Sequence, residues 1–266
     1  MIQNDVQQLA ARLVSSSSVH FNNWIPLFNV DGGYPRYSLE SSYNVPHPLY
    51  YASLLGLSQI VNELVLSSAL ANVNSIGGRY GSALGSASAS GHKEVVQILL
   101  AKGADVNIAG VKDGNALGLA SANGHQEVVQ ILLGNGIDVN MAGGYYGSAL
   151  ASASVNGRKE VVQVLLENGA DVNMAAQYGS ALALALALAG GYKEVVQILL
   201  EKGADVHSLG GGNPLRLASA NGHLDVVRIL LDHGANVSSN HEDVMKRARE
   251  ESERFGQLLL DRPDDY

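Results

Sequence analysis

The sequence contains no cysteine, so disulfides and thiolate metal sites are excluded. That absence does not fix a redox compartment, because a cysteine-free chain persists in any of them. Charged residues make up only 16% and aromatic residues only 6%. Long hydrophobic runs are missing too. The most apolar stretch, Ser180 to Ala189, is far shorter than a membrane span. Met1 to Val14 holds no basic region followed by an apolar block, so no secretory leader is expected. There is also no excess of positive charge: the net charge is -8 and the pI is about 5.4. An acidic chain has no electrostatic reason to approach nucleic acid or an anionic membrane, and neither is expected as a partner. A cytoplasmic protein is the default expectation, with the nucleus as the alternative.

What is present is an apolar fraction of 46% in 266 residues, dominated by Ala, Leu and Val. That is a globular composition. Its small side chains suit helices packed at close range.

Self-comparison reveals the organisation. GHKEVVQILL at Gly91 recurs as GHQEVVQILL at Gly124, GRKEVVQVLL at Gly157, GYKEVVQILL at Gly191 and GHLDVVRILL at Gly222, at intervals of 33, 33, 34 and 31 residues. GADVN at Gly103 returns in variants at Gly136, Gly169, Gly203 and Gly234. Before each comes GSAL or a variant, at Gly81, Gly114, Gly147, Gly179 and Gly212. A fainter copy, HPLYYASLLGLSQIVNELV from His47, precedes them all.

Each unit reads as two helices and a turn. Ser82, Asn115, Ser148, Ser180 and Asn213 are suited to N-cap the first helix, and Pro48 and Pro214 fall at its first turn. Gly91, Gly124 and Gly157 are placed to end that helix in the left-handed conformation. The acid of KEVV then lies where the dipole of the second helix favours negative charge. Val-Val-x-Ile-Leu-Leu supplies a wide apolar stripe.

These strings resemble the ankyrin repeat, over roughly Asn44 to Asn240 in six copies. The resemblance implies an all-α solenoid of about six helix-turn-helix units. The family's Thr-Pro-Leu-His is replaced by Ser-Ala-Leu-Gly or Ser-Ala-Leu-Ala, as at Ser82 to Gly85 and Ser148 to Ala151. The Thr–His hydrogen bond of that motif therefore cannot form. The Tyr-Gly-Ser-Ala-Leu flavour is similar to ankyrin arrays of filamentous fungi, often attached to nucleotide-binding immune-type receptors.

Three regions follow: an irregular N-terminal helix and aromatic cap at 1–46, the repeats at 47–240, and a C-terminal capping helix with tail at 241–266. A solenoid needs capped ends. Val244, Ala248, Phe255, Leu258 and Leu259 share a helical stripe, opposite Lys246, Arg247, Arg249 and several glutamates. At the other end, eight of the fifteen aromatics crowd into Phe21 to Tyr51. They can cover the first repeat or form a ligand pocket.

Catalytic patterns are lacking. His92, His125 and His223 occupy one slot of the repeat, at helix starts, and a metal needs several converging ligands. Asp105, Asp138, Asp171 and Asp205 recur at the GADVN turn, where they would accept backbone hydrogen bonds. No nucleophile elbow, zinc-protease helix or phosphate-binding glycine loop is present. No enzyme activity, cofactor or metal is expected.

The loop tips are richer. Tyr80, Tyr146 and Tyr178 share one slot, four residues before the Leu of GSAL, and Asp113 fills it in another copy. The adjacent slot holds Arg79, Lys112, Tyr145 and Gln177. Stacked repeats would set these in a row, and exposed Tyr and Arg suit a binding surface; equally, each Tyr can stiffen its neighbour. On the first-helix face, Asn123, Asn156 and Asn221 stand as hydrogen-bonding points among small residues. The fifth copy is irregular. SALALALALAGGYKEVV is two residues longer than its counterparts, and an exposed apolar patch around Leu184, Leu186 and Leu188 is expected.

The expected function is a non-catalytic protein–protein interaction module, a recognition arm or scaffold, using the groove and loop tips. The alternative is an enzyme or small-molecule binder built on the N-terminal aromatics and the groove.

Overall fold

The computed structural model describes residues 47–66, 72–108, 114–143, 145–174, 179–187, 192–207 and 213–236. The expected N-terminal cap and C-terminal capping helix lie outside the described residues. Among the described residues there are twelve helices, arranged as six pairs. The pairs are α1 (Pro48–Leu54) with α2 (Ser58–Leu66), α3 (Ala83–Ser90) with α4 (Lys93–Ala101), and α5 (Ala116–Asn123) with α6 (Gln126–Gly134). They continue with α7 (Ala149–Val155) and α8 (Lys159–Glu167), α9 (Ala181–Ala187) and α10 (Lys193–Glu201), and α11 (Pro214–Ala220) and α12 (Leu224–Asp232).

The short repeated strings set these boundaries. Ser82 Oγ accepts from the Gly85 N–H at 3.0 Å, and Asn115 Oδ1 from Gly118 N–H at 2.8 Å. Ser148, Ser180 and Asn213 cap α7, α9 and α11 in the same way. Each such bond satisfies one of the amides that a helix start leaves without a partner. Pro48 and Pro214 open their helices where no N–H is needed. At the other end, Gly91 and Gly124 take left-handed φ of 75° and 82° and return N–H bonds to the last turn.

The chain forms two compact units. Of the described residues, one unit takes those up to Asp138 together with Gly143 and Tyr145; the other takes Val139–Ala142 and those from Tyr146 onward. In the first, α3 packs between α1 and α5, and α4 between α2 and α6. In the second, α9 packs between α7 and α11, and α10 between α8 and α12. The layers match the patterning. Second helices bury one stripe, as with Val95, Val96 and Leu99 in α4, and expose Lys93, Glu94 and Gln97. First helices are buried almost all round, which is why small residues fill them. Full burial of each such leucine contributes about 1.5–3 kcal/mol.

The fifth copy departs from expectation. Leu182, Leu184 and Leu186 are all buried, and Leu186 is 0% exposed. α9 is enclosed by α7, α11 and its own partner α10, so an apolar helix has no face left for solvent. The exposed patch expected at Leu184 and Leu186 does not form; Leu188 lies outside the described residues.

Candidate functional site

In the first unit, the tip before α3 is built on tyrosines. Tyr50 and Tyr51 are buried, their rings in an edge-on contact 5.1 Å between centroids. Tyr50 lies under the turn at Gly78, whose left-handed φ is 75° and where any Cβ would strike the phenol ring. The Tyr50 hydroxyl accepts from the Tyr80 N–H at 3.3 Å. Tyr80 is half-buried and packs on the same pair. Above it, the exposed Arg79 guanidinium sits 5.5 Å from the Tyr80 ring centroid.

Two neighbouring slots thus do different work. Tyr80 faces in and Arg79 faces out. The second unit repeats the inward half: Tyr146 is half-buried and packs on Ala151, Val155 and Leu184. Tyr145, which belongs to the first unit, holds the outward slot and is 60% exposed. Lys112, Asp113, Gln177 and Tyr178 lie outside the described residues. The tyrosine slot is therefore a packing position where it is described, and the accessible side chains are those one residue earlier.

The three asparagines of the first-helix face have their amides committed. Asn123 Nδ2 donates to Leu119 O at 2.9 Å and Asn156 Nδ2 to Ser152 O at 2.8 Å, each within its own helix. Asn221 Nδ2 instead crosses to Leu186 O of the preceding repeat, at 2.9 Å. What Asn123 and Asn156 can offer a partner is the carboxamide oxygen. Among the described residues, every Asp and Glu lies on a second helix or in the turn after it, and first helices carry a single charge, Arg216.

Residues with chemical potential elsewhere are engaged in the stacking. His92 Nε2 donates to Leu54 O and His125 Nε2 to Ala89 O, both at 3.1 Å. Each ring fills the space over the helix-ending glycine of the previous repeat, Gly56 or Gly91, and Tyr192 covers Gly157 likewise. The aspartates close turns. Asp105, Asp171 and Asp205 accept from the N–H two residues on. A ladder of asparagines then ties successive turns. Asn74 accepts from Asp105 N–H at 2.8 Å and donates to Gly103 O at 3.3 Å. Asn140 does the same toward Asp171 and Gly169, and Asn173 toward Asp205 and Gly203. Spacing alone did not reveal this ladder; the recurring Asn of DVN was its only signal. Among the described residues no group of three or more His, Asp and Glu side chains is placed to hold a metal ion, and no helix is long and apolar enough to cross a membrane.

Comparison with known proteins agrees with this geometry. Residues 109–176 and 151–241 match the family described as ankyrin repeats (3 copies), and residues 82–111 match the single ankyrin repeat. The chain belongs to the ankyrin-repeat family. The crystal structure of the human ASB11 ankyrin repeat domain superposes with a TM-score of 0.68 at 27% identity, covering 82% of this chain and 99% of that one. A curated relative, azaphilone pigments biosynthesis cluster protein L of Monascus ruber, is 41% identical over 110 residues. The match takes in 37% of this chain and spans only 23% of that protein's length.

Ankyrin repeats generally mediate protein–protein interaction, typically without catalysis. At Gly85, in the slot of the family's His, a Cβ would run into the Tyr80 carbonyl oxygen. The missing side chain lets the tip settle directly on the start of α3.

Proposed function

We propose that this ankyrin array is a non-catalytic recognition module that binds a protein partner through its loop tips and the ends of its first helices. The observation that carries the reading is the Arg79–Tyr80–Tyr50 stack. An exposed guanidinium on a phenol ring, itself anchored through its backbone to a buried tyrosine, is held in place before any partner arrives. Side chains ordered in advance lose little entropy on binding. Tyr145 adds a large exposed contact of the kind that dominates binding energies. The C-terminal ends of the first helices, where Asn123 and Asn156 stand, carry no carboxylate among the described residues.

In this reading Arg79, Tyr145, Lys112 and Gln177 contact the partner. Tyr80, Tyr146 and Tyr178 support them, and Asn123 and Asn156 offer acceptors. Asn221 is occupied with stacking, and Asp113 takes the tyrosine slot in its tip. The module serves as an arm or scaffold in the cytoplasm, with no nucleic acid, membrane, metal or cofactor involved.

The test is capture of proteins from a native lysate by the full chain and by Arg79→Ala and Tyr145→Ala, compared with Lys102→Ala on a second-helix end. A partner lost with the two tip variants and kept by the control supports the proposal. Identical capture by all of them sinks the assignment of the tips. A saturable rise in melting temperature on adding a metabolite, with no protein captured, sinks the module reading itself.

A further inference from the structure

Five Asn-Gly pairs recur at helix ends: Asn123-Gly124, Asn156-Gly157 and Asn221-Gly222 after first helices, and Asn135-Gly136 and Asn168-Gly169 after second helices. Asn-Gly is the dipeptide in which an asparagine side chain is most open to attack by the next backbone nitrogen, because glycine offers no Cβ to hinder it. The reaction needs three things: a free glycine N–H, a free carboxamide, and a backbone ψ able to close a five-membered ring.

The fold withholds all three. Each glycine N–H is bonded: Gly124 to Ser121 O, Gly136 to Leu133 O, Gly157 to Ser154 O, Gly169 to Leu166 O and Gly222 to Ser219 O. The caps Asn135, Asn156, Asn168 and Asn221 hold ψ at 14°, 7°, 15° and 4°, far from the value the ring requires. At four stations the carboxamide nitrogen also donates to the carbonyl four residues back in the same helix. Nucleophile and leaving group are released together only when that turn unwinds, a local opening with its own free energy.

Asn221 is the exception. Its Nδ2 is tied to Leu186 O in the preceding repeat, not to its own helix. Its own last turn is held by the backbone bonds Asn221 N–H to Leu217 O and Gly222 N–H to Ser219 O, both at 3.2 Å, and by Ser219 Oγ to Leu215 O, with no bond from the Asn221 carboxamide. Both residues are exposed to water. We propose that Asn221-Gly222 is a deamidation site of this protein, reacting first among the five pairs because its lock depends on the register of the fifth and sixth repeats.

The Gly222 nitrogen loses its proton to a solvent base and bonds to Asn221 Cγ. The Cγ–Nδ2 bond breaks, and ammonia leaves with a proton from solvent. Water then opens the succinimide at either carbonyl, giving aspartate or isoaspartate. The product carboxylate cannot donate to Leu186 O and sets a negative charge against that carbonyl. The step is irreversible, and it removes the side-chain tie between α9 and α11.

The experiment is time-resolved peptide mass mapping of the full chain in warm, mildly alkaline buffer, folded and in urea. In urea the five pairs should convert at similar rates. In the folded protein Asn221 should convert several-fold ahead of Asn123, Asn135, Asn156 and Asn168. Conversion of Asn221 no earlier than the others, or a folded rate equal to the unfolded one at all stations, overturns the proposal. Asn221→Asp should lower the urea midpoint more than Asn123→Asp; equal effects overturn the claimed loss of the tie.

Discussion

The hydroxyl of Tyr50 accepts a hydrogen bond from the backbone N–H of Tyr80, 30 residues later and in the next repeat. Through that bond a core residue of one unit sets the height of the neighbouring loop tip. Tyr50→Phe keeps the ring under Gly78 and removes the hydroxyl that accepts from Tyr80 N–H. It should lower stability by about 1 kcal/mol, the usual net value of such a bond. Urea denaturation followed by circular dichroism gives the shift in midpoint. Partner capture should weaken as well, because Arg79 loses its fixed support.

Two glycines in equivalent slots should respond in opposite directions. A Cβ at Gly85 meets the Tyr80 carbonyl oxygen, a backbone atom that cannot step aside cheaply. Among the described residues, which do not include Asp113 in Tyr80's slot, the nearest neighbour of Gly118 is Asn115 Oδ1 at 3.4 Å, an ordinary contact. Gly118→Ala should therefore stabilise by about 0.5–1 kcal/mol through helix propensity. Gly85→Ala should destabilise by about 1–3 kcal/mol, as overpacking does. Thermal melts of the two variants decide it, and two shifts of the same sign would refute the account of the tip.

Much of the fold was legible because the period aligns equivalent residues, and each string names its own role. Ser82 and Asn115 were readable as caps, and Gly91 and Gly124 as helix ends, from local chemistry alone. A period does not say which member of one repeat touches which member of the next. The His125 ring over Gly91 and the Asn74 bonds to Asp105 and Gly103 are such inter-repeat facts. The tip was half legible. Tyr80 and Tyr146 shared a slot in the sequence, but their inward direction depends on Tyr50 below one and on Ala151, Val155 and Leu184 below the other. The fifth repeat misled for a similar reason. Leu184 and Leu186 look surplus when a helix is given one buried face, and α9 is enclosed by three neighbours.

Buried hydroxyls give a third prediction. Ser53, Ser88, Ser121 and Ser154 each lie three residues before a helix-ending glycine, are fully buried, and find no hydrogen-bond partner among the described residues. Ser219 holds the same slot in the sixth repeat but donates to Leu215 O at 2.7 Å. A buried polar group left unpaired costs about 1–3 kcal/mol. Alanine at 88 or 121 should therefore raise the denaturation midpoint. Alanine at 219 should leave it unchanged or lower it. If Ser219→Ala stabilises as much as Ser88→Ala, the unpaired hydroxyls are not the cause.

The asparagine ladder should fail one rung at a time. Asn173 holds two bonds across repeats, donating to Gly203 O at 2.9 Å and accepting from Asp205 N–H at 2.7 Å. Both are solvent-exposed, so Asn173→Ala should cost about 1–2 kcal/mol rather than the value for a buried pair. In a repeat array each unit depends chiefly on its nearest neighbours, so the damage should stay local. Hydrogen exchange reads this directly. The Asp205 amide should exchange faster in the variant, while the Asp171 amide, held by Asn140, should keep its protection. Equal acceleration at both amides would mean that the second unit opens as a whole and that the rungs are not independent.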